Sequence, residues 1–221
     1  MFTSVDRIAS SFPQPINWQI MEKYQGVKFN CRQIAGSFTA AKQPLLHLNR
    51  WSYLFSQLGL TPIHADGAYG NHSCRTGMSS FFITKSGMVP TENMDENDFA
   101  HIIDFKESSN ELFFEGLSTP SSESLLHGLI YTTNPNIQAI LHGHCSLFLK
   151  HAVALDLPTT KTFYPYGTRE LAESALDIIK SSTRSFILRD HGFVSLGENI
   201  EEAGNVTLDI LSNLLQIIKN G

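Results

Sequence analysis

The sequence predicts an α/β protein. Residues 44–58 and 200–219 carry apolar side chains at helical spacing, and residues 137–141 show the apolar alternation of a buried strand. Near the C-terminus, two short apolar runs, residues 185–188 and 193–196, flank a polar turn that ends in glycine, which is typical of a tight hairpin. Helices and short strands therefore share one chain.

Length and composition exclude several classes of protein. The chain has 221 residues, 42% of them hydrophobic, which is enough to bury a full core. Its 16 Lys and Arg residues form no basic stripe and the formal net charge is -5, so we expect no nucleic-acid partner. No apolar run reaches the ~20 residues of a membrane span and no secretory signal is apparent, so we expect no membrane association. Three cysteines without CxxC spacing indicate reduced thiols and a cytoplasmic protein.

We divide the chain into an N-terminal extension, residues 1–42, and one main domain, residues 43–221. Within the extension, residues 16–24 fit a short helix, and residues 29–38 fit a strand or a second short helix. The extension contains no catalytic cluster. We expect it to pack on the main domain or on a neighbouring subunit.

Two histidines, His142 and His144, stand at the end of the predicted strand. Side chains at i and i+2 of a strand point to the same face, so the two imidazoles project side by side with only Gly143 between them. Such a pair can hold a divalent metal, because a rigid strand fixes both ligands. Two histidines do not complete a metal site, and hydrogen-bonded or solvent-facing histidines fit the same spacing equally well.

A glycine-rich loop is predicted over residues 65–77, and its backbone can approach a ligand closely. A strand, residues 79–84, follows it and leads into a turn made by Lys85, Ser86 and Gly87. The glycine-rich loop and this turn could together supply N–H donors for an anion. Spacing alone favours an ordinary hairpin.

Residues 91–116 are predicted to form an acidic surface region that contains a short strand at residues 112–114. The run that ends at Glu123 precedes an apolar-periodic segment and therefore begins a helix, which ends near Thr133. Helix N-termini bind anions through free N–H groups and the helix dipole. Glu123 is either a catalytic carboxylate or a residue of the helix cap, and the local pattern does not choose between them.

The remaining segments continue the alternation of helices and strands. Residues 147–155 are predicted to be helical, and Thr168 is the predicted N-cap of a helix that ends near residue 181. The C-terminal hairpin carries His191 at its tip. The terminal helix has an apolar stripe that we assign to the core or to a subunit contact, made by Leu208, Leu211, Leu215 and Ile218.

Six short motifs within residues 45–218 resemble the class II aldolase/adducin family and occur in the family's order. They are Gly70-Asn71-His72-Ser73-Cys74-Arg75, Ile83-Thr84-Lys85-Ser86-Gly87, Pro120-Ser121-Ser122-Glu123, His142-Gly143-His144, the Tyr-Pro-Tyr-Gly-Thr-Arg-Glu-Leu of residues 164–171, and Asp190-His191-Gly192. Two of them depart from the family pattern: Lys85 stands where the family has proline, and the tyrosine motif has one residue fewer in its gap. The resemblance implies a three-layer α/β/α fold with a central, mostly antiparallel sheet.

The resemblance also implies a metal-dependent enzyme. By position, His142, His144 and His191 match the three histidines that hold one divalent ion in the family, usually Zn²⁺. Three such ligands leave a fourth position open for the substrate, whose enediolate the ion stabilises. Glu123 matches the family's acid/base carboxylate, and we expect a raised pKa for it near a dry metal site.

The family binds the phosphate of a sugar phosphate in loops that match six positions of this chain. These are Gly70, Asn71, Ser86, Gly87, Ser121 and Ser122. They coincide with the glycine-rich and helix-terminal positions at which backbone physics favours an anion. The implied partner is therefore a small phosphorylated sugar, and the implied assembly is a homotetramer.

The expected activity is that of a zinc-dependent aldolase acting on a small phosphorylated ketose. This chain has no counterpart of the tyrosine that protonates the aldehyde product in the family's aldolases. A sugar-phosphate dehydratase, similar to methylthioribulose-1-phosphate dehydratase, or an epimerase is the alternative, although glutamate at position 123 favours cleavage or dehydration over epimerisation. A non-catalytic adducin-like interaction protein is the alternative from another class, and retention of the three histidines and the glutamate argues against it.

Overall fold

The computed structural model describes residues 26–39, 42–106, 109 and 111–220. The helix predicted over residues 16–24 lies outside the described residues. The strands are β1 (Asn30–Ala35), β2 (Ile63–His64), β3 (Gly67–Ala68), β4 (Gly70–Arg75), β5 (Phe81–Thr84), β6 (Phe99–Lys106), β7 (Glu111–Glu115), β8 (Ala139–Gly143), β9 (Ser185–Leu188) and β10 (Gly192–Gly197). The α-helices are α1 (Lys42–Gln57), α2 (Ser124–Thr133), α3 (Ser146–Lys150), α4 (Arg169–Leu176) and α5 (Ile200–Asn220).

Eight strands form one sheet in the order β1-β7-β6-β5-β4-β8-β10-β9, and β2 pairs with β3 in a small separate ribbon. Every neighbouring pair of the large sheet is antiparallel apart from β1 and β7, which are parallel. The prediction of a central, mostly antiparallel sheet is confirmed. Strand β1 lies within the range assigned to the N-terminal extension and forms one edge of the sheet.

Helices cover both faces of the sheet and complete the three predicted layers. On one face, α2 and α4 pack over Ile140 and Val194 in the larger core cluster. On the other face, α1, α3 and α5 pack over Leu141 and Phe193. Because side chains alternate along a strand, His142 lies on the same face as Ile140, towards α2. Within the described part of the chain, no helix has the length and apolarity that crossing a membrane would demand.

One prediction about local structure is wrong, and another is correct only in part. The glycine-rich stretch predicted as a loop contains β4, which pairs with β5 on one side and β8 on the other. Its polar side chains are buried and hydrogen-bonded, so polarity did not indicate exposure here. The acidic surface region contains β6, whose Phe99 and Ile102 are fully buried while Asp104 on the same strand faces solvent.

The helices begin close to the residues predicted from the sequence, but some of them end at other residues than predicted. Thr168 caps α4 as predicted, because its Oγ1 accepts a hydrogen bond from the Leu171 N–H. The regular helix ends at Leu176 rather than near residue 181, and α3 ends at Lys150 and continues as turns. Only part of the predicted apolar stripe of α5 reaches the core. Leu208 and Leu211 pack against the core, whereas Leu215 and Ile218 are exposed.

Candidate active site

Four side chains converge at one edge of the α2-covered face. Glu123, His142, His144 and His191 each offer one possible metal-ligand atom, and these atoms all lie within 4.8 Å of one another. His142 comes from β8, and His144 follows the end of that strand. His191 comes from the β9–β10 turn, and Glu123 immediately precedes α2.

The sheet register explains how the histidines meet. Strand β8 lies between β4 and β10, and Val194 of β10 stands opposite His142, so the turn before β10 returns the chain beside the end of β8. Asp190 in that turn has a φ of 54°, and Gly192 follows. A Cβ on Gly192 would lie 2.5 Å from the Gly143 oxygen and 2.7 Å from His142 Cε1, so the close approach requires glycine.

Glu123 uses its side chain for the histidines and not for the helix. It occupies the N-cap position of α2 but makes no side-chain cap hydrogen bond. Its Oε2 lies 3.0 Å from His142 Nε2, and its Oε1 lies 2.7 Å from His191 Nε2. Asn71 donates a 2.7 Å hydrogen bond from Nδ2 to Oε2 of the same carboxylate. Of the two alternatives left open by the sequence, the geometry favours the carboxylate of a site over a helix cap.

Burial and charge act in opposite directions on the pKa values of the cluster. Burial alone would raise the pKa of Glu123, but the charges and hydrogen bonds of His142 and His191 outweigh it and hold that pKa well below 4.5. The expectation of a raised pKa for Glu123 is therefore wrong when only the protein side chains of the site act on it. Burial would lower the pKa of His142, yet the Glu123 carboxylate raises it. Burial and the two neighbouring histidines lower the pKa of His144.

The donor set fits a divalent metal ion. Tetrahedral zinc with nitrogen ligands places neighbouring donor atoms about 3.3–3.4 Å apart, and His142 Nε2 lies 3.1 Å from His144 Nε2. His142 Nδ1 lies 2.7 Å from the Phe193 carbonyl oxygen. A proton on Nδ1, donated to that carbonyl, leaves the Nε2 lone pair facing the cluster, which is the usual second contact of a metal-binding histidine.

A cavity opens beside the cluster. Glu123, His144 and His191 line it, whereas His142 is fully buried behind them. All six positions expected to bind phosphate also line it: Gly70, Asn71, Ser86, Gly87, Ser121 and Ser122. The structure thus brings every predicted site residue to one place, and the role of the six in binding phosphate stays a prediction.

Two of the N–H donors expected for an anion, one in the turn after β5 and one just before α2, are already used within the chain. The Ser86 N–H bonds the Thr119 carbonyl at 2.9 Å, and the Ser121 N–H bonds the Thr84 carbonyl at 3.1 Å. These bonds hold the turn after β5 against the segment before α2. The expected anion site therefore consists of two segments joined by the backbone, and not of one hairpin.

Sequence reasoning missed seven residues that line the cavity: Asp66, Ala68, Tyr69, Lys85, Phe163, Tyr166 and Asp190. Lys85, Tyr166 and Asp190 lie inside the recognised motifs, so their position could have indicated a role. Tyr69 and Asp66 carry no local signal. The Tyr69 ring lies 5.7 Å from that of His144, and its hydroxyl donates to Asp66 Oδ2 at 3.2 Å.

Two further histidines lie buried behind the cavity. His72 Nδ1 lies 2.9 Å from the Ser52 hydroxyl, and His127 Nδ1 lies 2.6 Å from the Ser73 hydroxyl. Burial is the main cause that lowers the pKa of each to about 3. Both imidazoles are therefore neutral near pH 7 and belong to the hydrogen-bonded core that supports β4.

Comparison with protein families identifies one match over most of the chain. Residues 51–217 match the model described as the Class II Aldolase and Adducin N-terminal domain. The L-fuculose phosphate aldolase of Methanococcus maripaludis strain C7 is 30% identical over 165 residues, which cover 68% of this chain and 84% of that protein. For the enzyme of the same name from strain S2, the match is 31% identical and spans 44% of this chain and only 60% of the relative.

Another relative carries a different activity, and solved structures share the fold. The 3-oxo-tetronate 4-phosphate decarboxylase of Escherichia coli K12 is 29% identical over 39% of this chain and 49% of its own length. A solved L-fuculose 1-phosphate aldolase superposes with a TM-score of 0.64 at 25% identity, covering 84% of this chain and 90% of that one. The L-fuculose-1-phosphate aldolase of Thermus thermophilus gives a TM-score of 0.61 at 21% identity, covering 81% and 95%.

Proposed function

Because the chain belongs to the class II aldolase and adducin family, we propose that it is a zinc-dependent lyase that cleaves a small phosphorylated ketose. The observation that carries the proposal is the meeting of the Glu123 carboxylate with three imidazoles at the wall of one cavity. A carboxylate beside a histidine metal site can move protons next to a polarised carbonyl.

His142, His144 and His191 would hold the ion. When bound, a divalent cation polarises the substrate carbonyl and stabilises the negative charge that develops on its oxygen. Zinc suits three imidazoles, and other divalent metals accept the same ligands. Glu123 lies within reach of the same position and can contribute an oxygen until a substrate arrives.

Glu123 would act as the acid/base. It accepts the proton from the reacting carbon or hydroxyl group of the substrate and returns a proton later in the cycle. Only 4% of the residue is exposed, so bulk water does not compete for that proton. Asn71 holds one carboxylate oxygen in place and leaves the other towards His191. The chain's own residues thus hold the base in position.

The substrate, assembly and location are part of the same proposal. The name L-fuculose phosphate aldolase, carried by the relatives, supports a phosphorylated ketose. Its phosphate would lie against the turn after β5 and the segment before α2. A homotetramer is supported by the exposed apolar side chains of α5, Leu215 and Ile218, which are 58% and 46% exposed. We place the protein in the cytoplasm, where its three free thiols stay reduced.

A second candidate function uses the same ion and carboxylate but releases water or carbon dioxide instead of an aldehyde. The family's aldolases protonate an aldehyde with a tyrosine that has no counterpart in this sequence, and one relative is named as a decarboxylase. Dehydration and decarboxylation need no second aldehyde. An adducin-like protein without catalysis would retain the fold and bind no metal.

A cleavage assay tests the proposal. Zinc-loaded protein is incubated with a panel of ketose 1-phosphates that includes L-fuculose 1-phosphate, and the phosphorylated ketone product is measured. The matched control is Glu123→Gln, which keeps the shape of the side chain and removes its acid/base function. We expect cleavage that falls by about 10²–10⁴-fold in the variant. Cleavage that is no faster than in the variant contradicts the aldolase proposal, and water or carbon dioxide release with the same dependence on Glu123 identifies the second candidate.

A further inference from the structure

We propose that Lys85 supplies the positive charge that binds the substrate phosphate, and that Asp98 holds this lysine at the cavity wall. The inference rests on the proposed function in one respect, namely that the cavity takes a phosphorylated ligand. It assigns the specificity for a doubly charged phosphate to a residue that the resemblance does not assign, since Lys85 stands where the family motif has proline.

Among the side chains that line the cavity, carboxylates outnumber lysine and arginine. Three carboxylates line the cavity, those of Asp66, Glu123 and Asp190. Among the described residues of the lining, Lys85 is the only lysine or arginine. A phosphate monoester carries about −1.5 to −2 charges near neutral pH, so its entry between three carboxylates is unfavourable unless a cation faces it. Lysine is a common partner of phosphate in proteins.

The backbone places Lys85 between the two segments expected to hold the phosphate. It begins the turn that contains Ser86 and Gly87, and it forms an isolated antiparallel bridge with Pro120, next to Ser121. Its N–H donates to the Asp98 carbonyl at 2.9 Å. Both the turn and the segment before α2 therefore fix the point from which the lysine side chain starts.

The side chain is held but not enclosed. Lys85 Nζ lies 2.7 Å from Asp98 Oδ1, and the two side chains are 31% and 22% exposed. Asp98 is itself fixed, because its Oδ2 accepts a 3.0 Å hydrogen bond from the Asp95 N–H. An ammonium group has three donors, so Nζ can keep Asp98 and still donate to a phosphate in the cavity.

Asp98 affects the binding of phosphate in two opposite ways. It restricts the lysine to the cavity wall, and it also neutralises part of the charge that the phosphate needs. Replacement of Asp98 by asparagine keeps an oxygen for the Asp95 N–H and removes the competing charge. The backbone bonds of Lys85 remain in Asp98→Asn, so the loss of the competing charge should outweigh the loss of the side-chain restraint. A phosphate-binding lysine therefore predicts opposite effects for Lys85→Met and Asp98→Asn, whereas a purely structural ion pair predicts effects of the same sign.

The experiment is a calorimetric titration of zinc-loaded protein with inorganic phosphate. We expect Lys85→Met to weaken phosphate binding about tenfold, as loss of one charged hydrogen bond does. We expect Lys85→Arg, which keeps the positive charge, to stay within about threefold of wild type. We expect Asp98→Asn, which removes the competing negative charge, to bind about threefold more tightly. Affinities that are unchanged, or that fall in both Lys85→Met and Asp98→Asn, overturn the proposal. Should Lys85→Met fail to fold, the sign of the change in Asp98→Asn alone decides.

The titration separates this inference from the proposed function, because it measures binding without turnover. Opposite changes in the two variants of a protein that cleaves no ketose phosphate support Lys85 and contradict the lyase. A protein that cleaves ketose phosphates but responds in the same direction to both substitutions keeps the lyase and overturns the role of Lys85. Wild-type protein that binds no phosphate at millimolar concentration also overturns it.

Discussion

Asn71 donates a 2.7 Å hydrogen bond to the carboxylate of Glu123 across 52 positions of the sequence. Asn71 also stands opposite His142 in the β4–β8 register. One strand position therefore orients the carboxylate and lies beside a predicted metal ligand. The Oδ1 atom of Asn71 is buried and has no hydrogen-bond partner among the described residues, so the amide is held by what its nitrogen contacts.

Removal of this hydrogen bond should change the pH dependence of activity. A bond to the ionised carboxylate lowers its pKa, so Asn71→Ala should raise the pKa of Glu123. The acid limb of the profile of kcat/KM against pH should then move to higher pH. The matched control is Asn49→Ala, which removes another buried amide, bonded to the Glu92 carbonyl and not to the site. An acid limb that moves equally in both variants would show that Asn71 acts only through stability.

Gly192 should be required for metal binding. A Cβ at this position would lie 2.7 Å from His142 Cε1 and 3.0 Å from His144 Cδ2, so one or both rings must move. We expect Gly192→Ala to lower zinc affinity at least tenfold, because metal sites tolerate little displacement of their ligands. Gly36→Ala is the control, since a Cβ there makes only an ordinary 3.6 Å contact with Leu117. Equal zinc affinity in wild type and Gly192→Ala, measured by competition with a chelating dye, would contradict the geometry.

The buried histidines should make the protein sensitive to acid. The folded-state pKa of His127 is about 3, below the ordinary value of 6.5, so the unfolded chain binds the extra proton between these values. Stability is then greatest above pH 6.5 and falls as the pH is lowered, by up to about 1.4 kcal/mol per pH unit for each such histidine. His127→Asn, which can keep the contact with Ser73, should reduce this slope. Chemical unfolding of chelator-treated protein between pH 6.5 and pH 5 measures it, and an unchanged slope would contradict the buried neutral state.

Arg75 should contribute stability rather than chemistry. Its guanidinium donates to the carbonyl oxygens of Tyr131, Asn134 and Ile137, which join the end of α2 to β4 and to the segment before β8. Lysine cannot reproduce this planar fork. We expect Arg75→Lys to lower the free energy of unfolding by about 1–3 kcal/mol while zinc content stays at the wild-type level. Loss of zinc without loss of stability would assign Arg75 to the site instead.

The sequence predicted much of the fold because most elements carry their own signal. The alternation in β8, the hairpin around His191 and the cap at Thr168 each depend on neighbouring residues, and the structure contains all three. Strand β4 was missed for the opposite reason. Its Asn71 and Ser73 are buried polar residues with partners in and beside α2, and a buried polar strand resembles a loop until those partners are known.

The site was predictable in its members but not in its contacts. The i, i+2 spacing on the strand indicated His142 and His144, and the family motifs added His191 and the role of Glu123. No local pattern could show that both carboxylate oxygens of Glu123 meet histidines, or that these contacts lower its pKa, since the partners lie in other elements. The ion pair of Lys85 with Asp98 likewise depends on the turn before β6, and not on residues close to Lys85 in the sequence.

The metal content of the purified protein tests the central claim most directly. Elemental analysis should find about one zinc, or one other divalent ion, per chain, and His144→Ala should lose it because two imidazoles and a carboxylate bind more weakly than the full set. The thermal unfolding of both proteins should be compared, so that loss of metal is not mistaken for loss of fold. A folded wild-type protein that contains no metal and takes up none from zinc solution would contradict the metal site and the lyase, and would favour the adducin-like alternative.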